Sequence, residues 1–265
     1  MLSDYRATEF RHDGATKPLY MRGEGPAVIV IHEIPGITPK VVRFADWVVD
    51  AGFRVYMPLL VGEAGRDVSH LYVLSSIAKV CISREFAVLA SHRSSPVTDW
   101  LRALARHASA ETGGGPVGAV GMCFSGNFAL SMMMEPCLMA PVLSQPSLPF
   151  PLGAGRSAAL HVSPEELRCA KDRCAKGDAV LGLRFKGDPA VPDARFASLR
   201  RELGAAFEAI ELDDACGNPD AVMKQPHSVL TEHLVDRDGE PTKEAARRVI
   251  SFFRERLATG PRATA

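Results

Sequence analysis

The residues best suited to chemistry lie in Gly121-Met122-Cys123-Phe124-Ser125-Gly126, where a thiol ends the small-residue apolar run VGAVGM and a stretch of helical pattern follows. Small residues two before and two after a nucleophile let a strand and a helix come close while the nucleophile occupies a strained turn between them. Ser125 stands where glycine is usual; serine is small, and Gly126 beside it gives further room. A helix starting at such a turn aims unbonded N–H groups and the positive end of its dipole at the reacting centre, which favours a thiolate and can hold an oxyanion. Phe124 N–H is the expected first oxyanion donor. The second is expected from the loop Glu33-Ile34-Pro35-Gly36, and because proline has no N–H, Ile34 is the candidate. An ordinary thiol, with a pKa of about 8.5, is only slightly ionised at neutral pH, so the chemistry needs a base.

The elements that must position this turn follow an alternating pattern. Ala27 to His32 reads as a buried strand, Pro39 to Ala51 as a helix and Phe53 to Pro58 as a strand. Ser95 to His107 carries Val97, Trp100, Leu101 and Leu104 at helical spacing, with Pro96 suited to a first turn. After Cys123 a helix is expected over Phe124 to Met134. Strands follow at Leu138 to Leu143, Val180 to Phe185 and Phe207 to Leu212, separated by helical segments, and Glu240 to Leu257 forms a closing helix. Such alternation predicts a mainly parallel central sheet flanked by helices on both faces, in one domain over 1–265, with about 258–265 as a frayed tail. The segment 62–85 has irregular apolar spacing and is expected to be a lid or an edge excursion.

On scaffolds that carry a strand–turn–helix nucleophile the chain order is nucleophile, acid, histidine. Five of the eight histidines precede Cys123, which leaves His161, His227 and His233. His227 sits in a polar loop after the last strand, where a late base should fall, with His233 in reserve. Asp188, in KGDPAVPDARF after the strand LGLRF, suits a carboxylate that orients an imidazole, whereas Asp193 reads as a helix cap. Met122 and Phe124 are expected to line an acyl pocket.

These residues make the chain similar to the dienelactone hydrolase family of α/β-hydrolases, through HEIPG at 32–36, G-x-C-x-S-G from Gly121, D-x-x-V-P at 188–192 and His227-Ser228. The likeness spans Ala27 to Leu257 and implies an α/β-hydrolase fold and an ester or lactone hydrolase that works through a thioester acyl-enzyme. It further implies Cys123 as nucleophile, Asp188 and His227 as its partners, and Glu33 as a carboxylate that holds the resting thiol until substrate displaces it. Family members that act on dienelactone bind its carboxylate with two arginines. Thr231 stands at one of those positions, and Arg84 is the loose match to the other, hence a candidate substrate-binding residue.

Composition excludes several other classes. Apolar residues make up 46% and charged residues 23%, and 31 Lys plus Arg balance 31 Asp plus Glu, so no net field draws nucleic acid or a membrane surface. No apolar run approaches the roughly 20 residues a spanning helix needs, and the opening residues do not resemble a signal peptide; a cytoplasmic location is expected. Six scattered cysteines read as reduced thiols, and none has metal-ligand spacing, so neither a metal nor an organic cofactor is expected. The expected partner is a small-molecule ester or lactone, with oligomeric state open. Two other readings remain: a non-catalytic binding module on the same scaffold, and a thiol-dependent acyltransferase.

Overall fold

A computed structural model describes residues 1–82 and 95–258. Five apolar segments, each continuously buried or nearly so, form the parallel heart of one eight-stranded sheet: β3 (Ala27–Ile31), β4 (Arg54–Pro58), β5 (Val117–Met122), β6 (Leu138–Ser144) and β7 (Val180–Phe185). Together with β1 (Arg6–His12), β2 (Ala15–Arg22) and β8 (Phe207–Leu212) they run in the order β1-β2-β4-β3-β5-β6-β7-β8. Only the pairs that involve β1 and β2 are antiparallel. A strand buried on both faces needs apolar side chains at every position, which is why these segments read as runs rather than alternations.

Side chains along β3 divide alternately between two cores. Ala27, Ile29 and Ile31 pack under α3 (Pro96–Glu111), α6 (Pro164–Ala175) and α7 (Asp193–Leu203), while Val28 and Val30 pack under α1 (Pro39–Asp50) and α8 (Pro241–Leu257). Helices therefore cover both faces, as the alternating pattern predicts. Proline stands in the first turn of α1, α3, α6 and α8, where its missing N–H costs no helix bond. Three of these helices are also capped by side chains, from Thr38, Ser95 and Ser163. No helix among the described residues is long and apolar enough to cross a membrane.

The hairpin of β1 and β2 extends the sheet beyond the predicted strands. It turns at Asp13-Gly14, both with positive φ (47° and 77°). The predicted helix over Phe124 to Met134 is broken into a 3₁₀ turn (Cys123–Ser125), α4 (Phe128–Ser131) and a second 3₁₀ turn (Met132–Met134). The Cys123 carbonyl accepts from Gly126 N–H and from Ser147 N–H, both at 3.0 Å, in place of the bond that would continue an α-helix. The expected helix start and its dipole are thus reduced to one short turn. Segment 62–82 is neither strand nor edge: it holds α2 (His70–Ile82), tied to the loop after β3 by Ser76 Oγ, which donates to Pro35 O at 3.3 Å. The element α5 (Gly153–Ala158) is a short helix packed against α7.

Candidate active site

Every chemistry-bearing residue singled out from the described part of the sequence lies beyond the C-terminal end of a strand, where open parallel sheets gather their ligands and reactive groups. Cys123 ends β5 with φ of 57°, the left-handed conformation that costs a non-glycine residue about 1–3 kcal/mol. Its tight turn depends on two close approaches. A Cβ on Gly121 would lie 2.1 Å from Ser125 O, and one on Gly126 would lie 2.5 Å from Pro146 Cα. Ser125 does more than fit a small space. Its hydroxyl accepts from Met122 N–H at 2.9 Å and lies 3.2 and 3.1 Å from the carbonyls of Ile31 and His32, so it fastens the elbow to the end of β3.

His227 is brought to Cys123 by the long loop between β8 and α8. Nδ1 donates to Asp188 Oδ2 at 2.6 Å, and the ring shares the cavity with Cys123, near enough for the sulfur to act on its charge. Burial opposes a charge on the ring, but the Cys123 thiolate and the Asp188 carboxylate outweigh it and raise the pKa of His227 well above its ordinary value. The arrangement favours the imidazolium form of the ring. Asp188 is 3% exposed; its second oxygen accepts from Ala190 N–H at 2.9 Å, so one carboxylate both shapes the turn at Pro189 and orients the ring.

His233 is not a spare base. Its Nδ1 accepts from the N–H groups of Ser228 (3.1 Å) and His227 (3.3 Å), its Nε2 donates to Met223 O at 2.7 Å, and burial lowers its pKa. A neutral ring here folds the loop that carries His227. His32 is likewise structural: Nδ1 donates to Glu33 O at 2.7 Å, Nε2 accepts from Leu60 N–H at 2.9 Å, and complete burial pushes its pKa down to about 4.

Glu33 departs from the expected role. Its buried carboxylate accepts from Ser228 Oγ (2.6 Å), Gln145 Nε2 (3.1 Å) and Thr231 Oγ1, rather than meeting the Cys123 sulfur. Burial raises its pKa, and the Ser228 and Thr231 hydroxyls oppose the rise. Glu33 thus clamps the His227 loop against the end of β3. Thr231, read from the sequence as a missing arginine, is one jaw of that clamp. Gln145, with φ of 35° just past β6, is another. The Cys123 sulfur instead lies 3.3 Å from Ser147 Oγ, a contact that nothing in the sequence announced.

A cavity of about 280 Å³ opens over Cys123. Ile34, Val68, Val73, Ile77, Phe150 and Met223 form its apolar wall, with Val73 and Ile77 supplied by α2. Ile34 shares this cavity with Cys123. The Phe124 and Met122 side chains are fully buried, outside the cavity lining, which corrects their reading as pocket residues; Phe124 packs on His32 and Phe128. Asp193 is no cap either: its carboxylate pairs with Arg184. Arg84 lies outside the described residues. Arg195, fully buried in α7, donates to the carbonyls of Pro146 (2.7 Å), Pro149 (2.6 Å), Arg156 (3.0 Å), Ala159 (3.0 Å) and Ala190 (3.2 Å). Among the described residues, no three His, Cys, Asp or Glu side chains are grouped to hold a metal ion.

Comparison with known proteins agrees with this architecture. A Klebsiella pneumoniae structure assigned as a dienelactone hydrolase matches with a TM-score of 0.62 at 20% identity, covering 94% of this chain and 97% of that one. A dienelactone hydrolase-like promiscuous phosphotriesterase from metagenomic libraries matches with a TM-score of 0.59 at 17% identity, covering 96% and 98%. The dienelactone hydrolase of Anabaena variabilis matches with a TM-score of 0.58 at 16% identity, covering 96% and 98%. At these identities the likeness establishes the α/β-hydrolase fold. No curated protein sequence matches the chain. The sequence profile of the dienelactone hydrolase family matches residues 15–256, nearly the whole length, and the chain belongs to that family.

Proposed function

We propose that this protein hydrolyses esters or lactones with Cys123 as nucleophile, His227 as acid and base, and Asp188 as the group that fixes the imidazole. The observation that carries this reading is Cys123 at positive φ beneath an apolar cavity that His227 also lines, with the His227 ring hydrogen-bonded to Asp188 and its charge favoured by the Cys123 sulfur. The thiolate attacks the carbonyl carbon and a C–S bond forms. Backbone N–H groups of Phe124 and Ile34 receive the oxyanion. The alkoxide then leaves with the proton of the His227 imidazolium, and a thioester remains. Water, deprotonated by His227, attacks the thioester; the acid departs and the thiolate–imidazolium pair is restored. Each step needs only groups on this chain and water.

The walls bear on the substrate. Ile34, Val73, Ile77 and Phe150 suit an uncharged apolar acyl group. Among the described lining residues the charged side chains other than histidine are the acids Glu33, Asp188 and Glu232, which disfavour a substrate carboxylate. A cytoplasmic setting suits a nucleophile that must stay reduced, and fractionation of expressing cells tests it.

The test of function is turnover of p-nitrophenyl acetate and p-nitrophenyl butyrate by the wild type and by Cys123→Ala, with added alcohol to detect acyl transfer. Loss of turnover in the variant, together with an acyl-Cys123 adduct by mass spectrometry, is expected. Equal activity in the variant would overturn the reading, and alcoholysis outrunning hydrolysis would replace it with acyl transfer.

A further inference from the structure

The resting thiol has a neighbour that the proposed reaction does not use. Ser147 follows Gln145 and Pro146 in the loop beyond β6, is 1% exposed and lines the cavity. Its hydroxyl lies 3.3 Å from the Cys123 sulfur, and among the described residues that sulfur is the hydroxyl's hydrogen-bond partner.

This contact is held from three directions. Ser147 N–H donates to Cys123 O at 3.0 Å, Asn127 Nδ2 donates to Leu148 O at 3.0 Å, and the bare Cα of Gly126 lets Pro146 come so close that a Cβ there would stand 2.5 Å from Pro146 Cα. The Ser147 backbone therefore cannot drift from Cys123 without moving the elbow itself. Glu33, the residue expected to hold the thiol, is occupied by Ser228, Thr231 and Gln145.

We infer that Ser147 is a further functional residue of this site, donating its hydroxyl proton to the resting Cys123 thiolate in the place expected of Glu33. A thiolate can only accept, so beside a protonated His227 the serine must be the donor. The bond is strongest to the anion and weakens once sulfur carries an acyl group. It therefore stabilises the resting state, increasing the thiolate population while tempering the reactivity of each thiolate. The inference rests on Cys123 being the reactive sulfur of the proposed function. Among the described residues, the other titratable groups around the cavity are His227, Asp188, Glu33, Glu232 and His233, and replacing Ser147 removes none of them.

The test follows alkylation of Cys123 by iodoacetamide across pH, read at the Cys123 peptide by mass spectrometry, in the wild type and Ser147→Ala. Loss of the donor should move the midpoint of the alkylation profile up by about one pH unit, with alkylation about three- to fourfold slower on its acidic side, because a thiolate population about tenfold smaller is partly offset by thiolates about threefold more nucleophilic. Ser147→Thr should restore the profile and Ser147→Val should not; these two variants differ only in the hydroxyl and decide the matter if the alanine variant folds poorly. An unchanged midpoint would overturn the inference, and a lowered one would make the hydroxyl an acceptor from neutral S–H, which overturns it as well. Alkylation needs no ester turnover, so a protein inactive on every ester would end the hydrolytic reading and leave this test decisive.

Discussion

Asparagine at position 188 gives the sharpest test of how His227 is held. Asp188 Oδ1 accepts from Ala190 N–H at 2.9 Å and Oδ2 accepts from His227 Nδ1 at 2.6 Å. In Asp188→Asn the side-chain oxygen is needed at Ala190, so the amide nitrogen faces Nδ1. A donor then meets a donor unless the ring moves its proton to the nitrogen facing sulfur, where it can no longer accept the thiol proton. Loss of the charge-assisted bond alone is worth about 1.5–3 kcal/mol, or about 10- to 150-fold in kcat/KM. An inverted tautomer takes the loss toward about 10⁴-fold, the scale seen when the same exchange is made in a serine triad. The assay is kcat/KM for p-nitrophenyl acetate against pH. The imidazolium exists below the raised pKa of His227 and is lost above it; removing the Asp188 charge lowers that pKa, so the alkaline limb must move to lower pH. A loss under about threefold at neutral pH in a natively folded variant, or an unmoved alkaline limb, would refute the reasoning.

Three other perturbations have defined outcomes. Glu33→Gln turns an amide group toward Ser228, Thr231 and Gln145, and should cost about 1–3 kcal/mol in urea denaturation while lowering kcat through the displaced His227 loop. His32 binds a proton near 6.5 when unfolded but only near 4 when folded, so the unfolded chain takes up the proton first as pH falls. Stability should drop by up to about 3 kcal/mol across that window, and His32→Gln should flatten the slope measured by denaturation at each pH. Gly121→Ala places a methyl 2.1 Å from Ser125 O and should lower both Tm and activity; a native Tm would show that the elbow can open without cost.

Long apolar runs made β3 to β7 legible because both faces of those strands are covered, leaving few polar positions to blur the pattern. The β1 and β2 hairpin escaped because it is a polar margin: Arg6–His12 is mostly exposed, and Pro18 interrupts its partner. The Asp13-Gly14 pair was its one readable sign, since that dipeptide suits a turn with positive φ at both residues. Cys123, His227 and Asp188 could be found because their order along the chain is constrained. Glu33 and Ser147 could not be sorted. Which of them touches sulfur depends on the path of the loop after β6 and on Ser228 and Thr231, residues almost 200 positions from Glu33 in sequence. His233 looked like a second base because sequence shows an imidazole without showing that its nitrogens are already bound to backbone.

Arg195 has a consequence for changing what this pocket accepts. A guanidinium has five N–H donors, and Arg195 uses them on five carbonyls spread over 146–159 and Ala190. Remodelling that flank for a bulkier ligand would strand several buried polar groups at once. The α2 flank meets the same space with Val73 and Ile77, whose side chains carry no hydrogen bonds to lose. Directed evolution for new acyl groups should therefore accumulate its useful changes on α2 and leave Arg195 untouched.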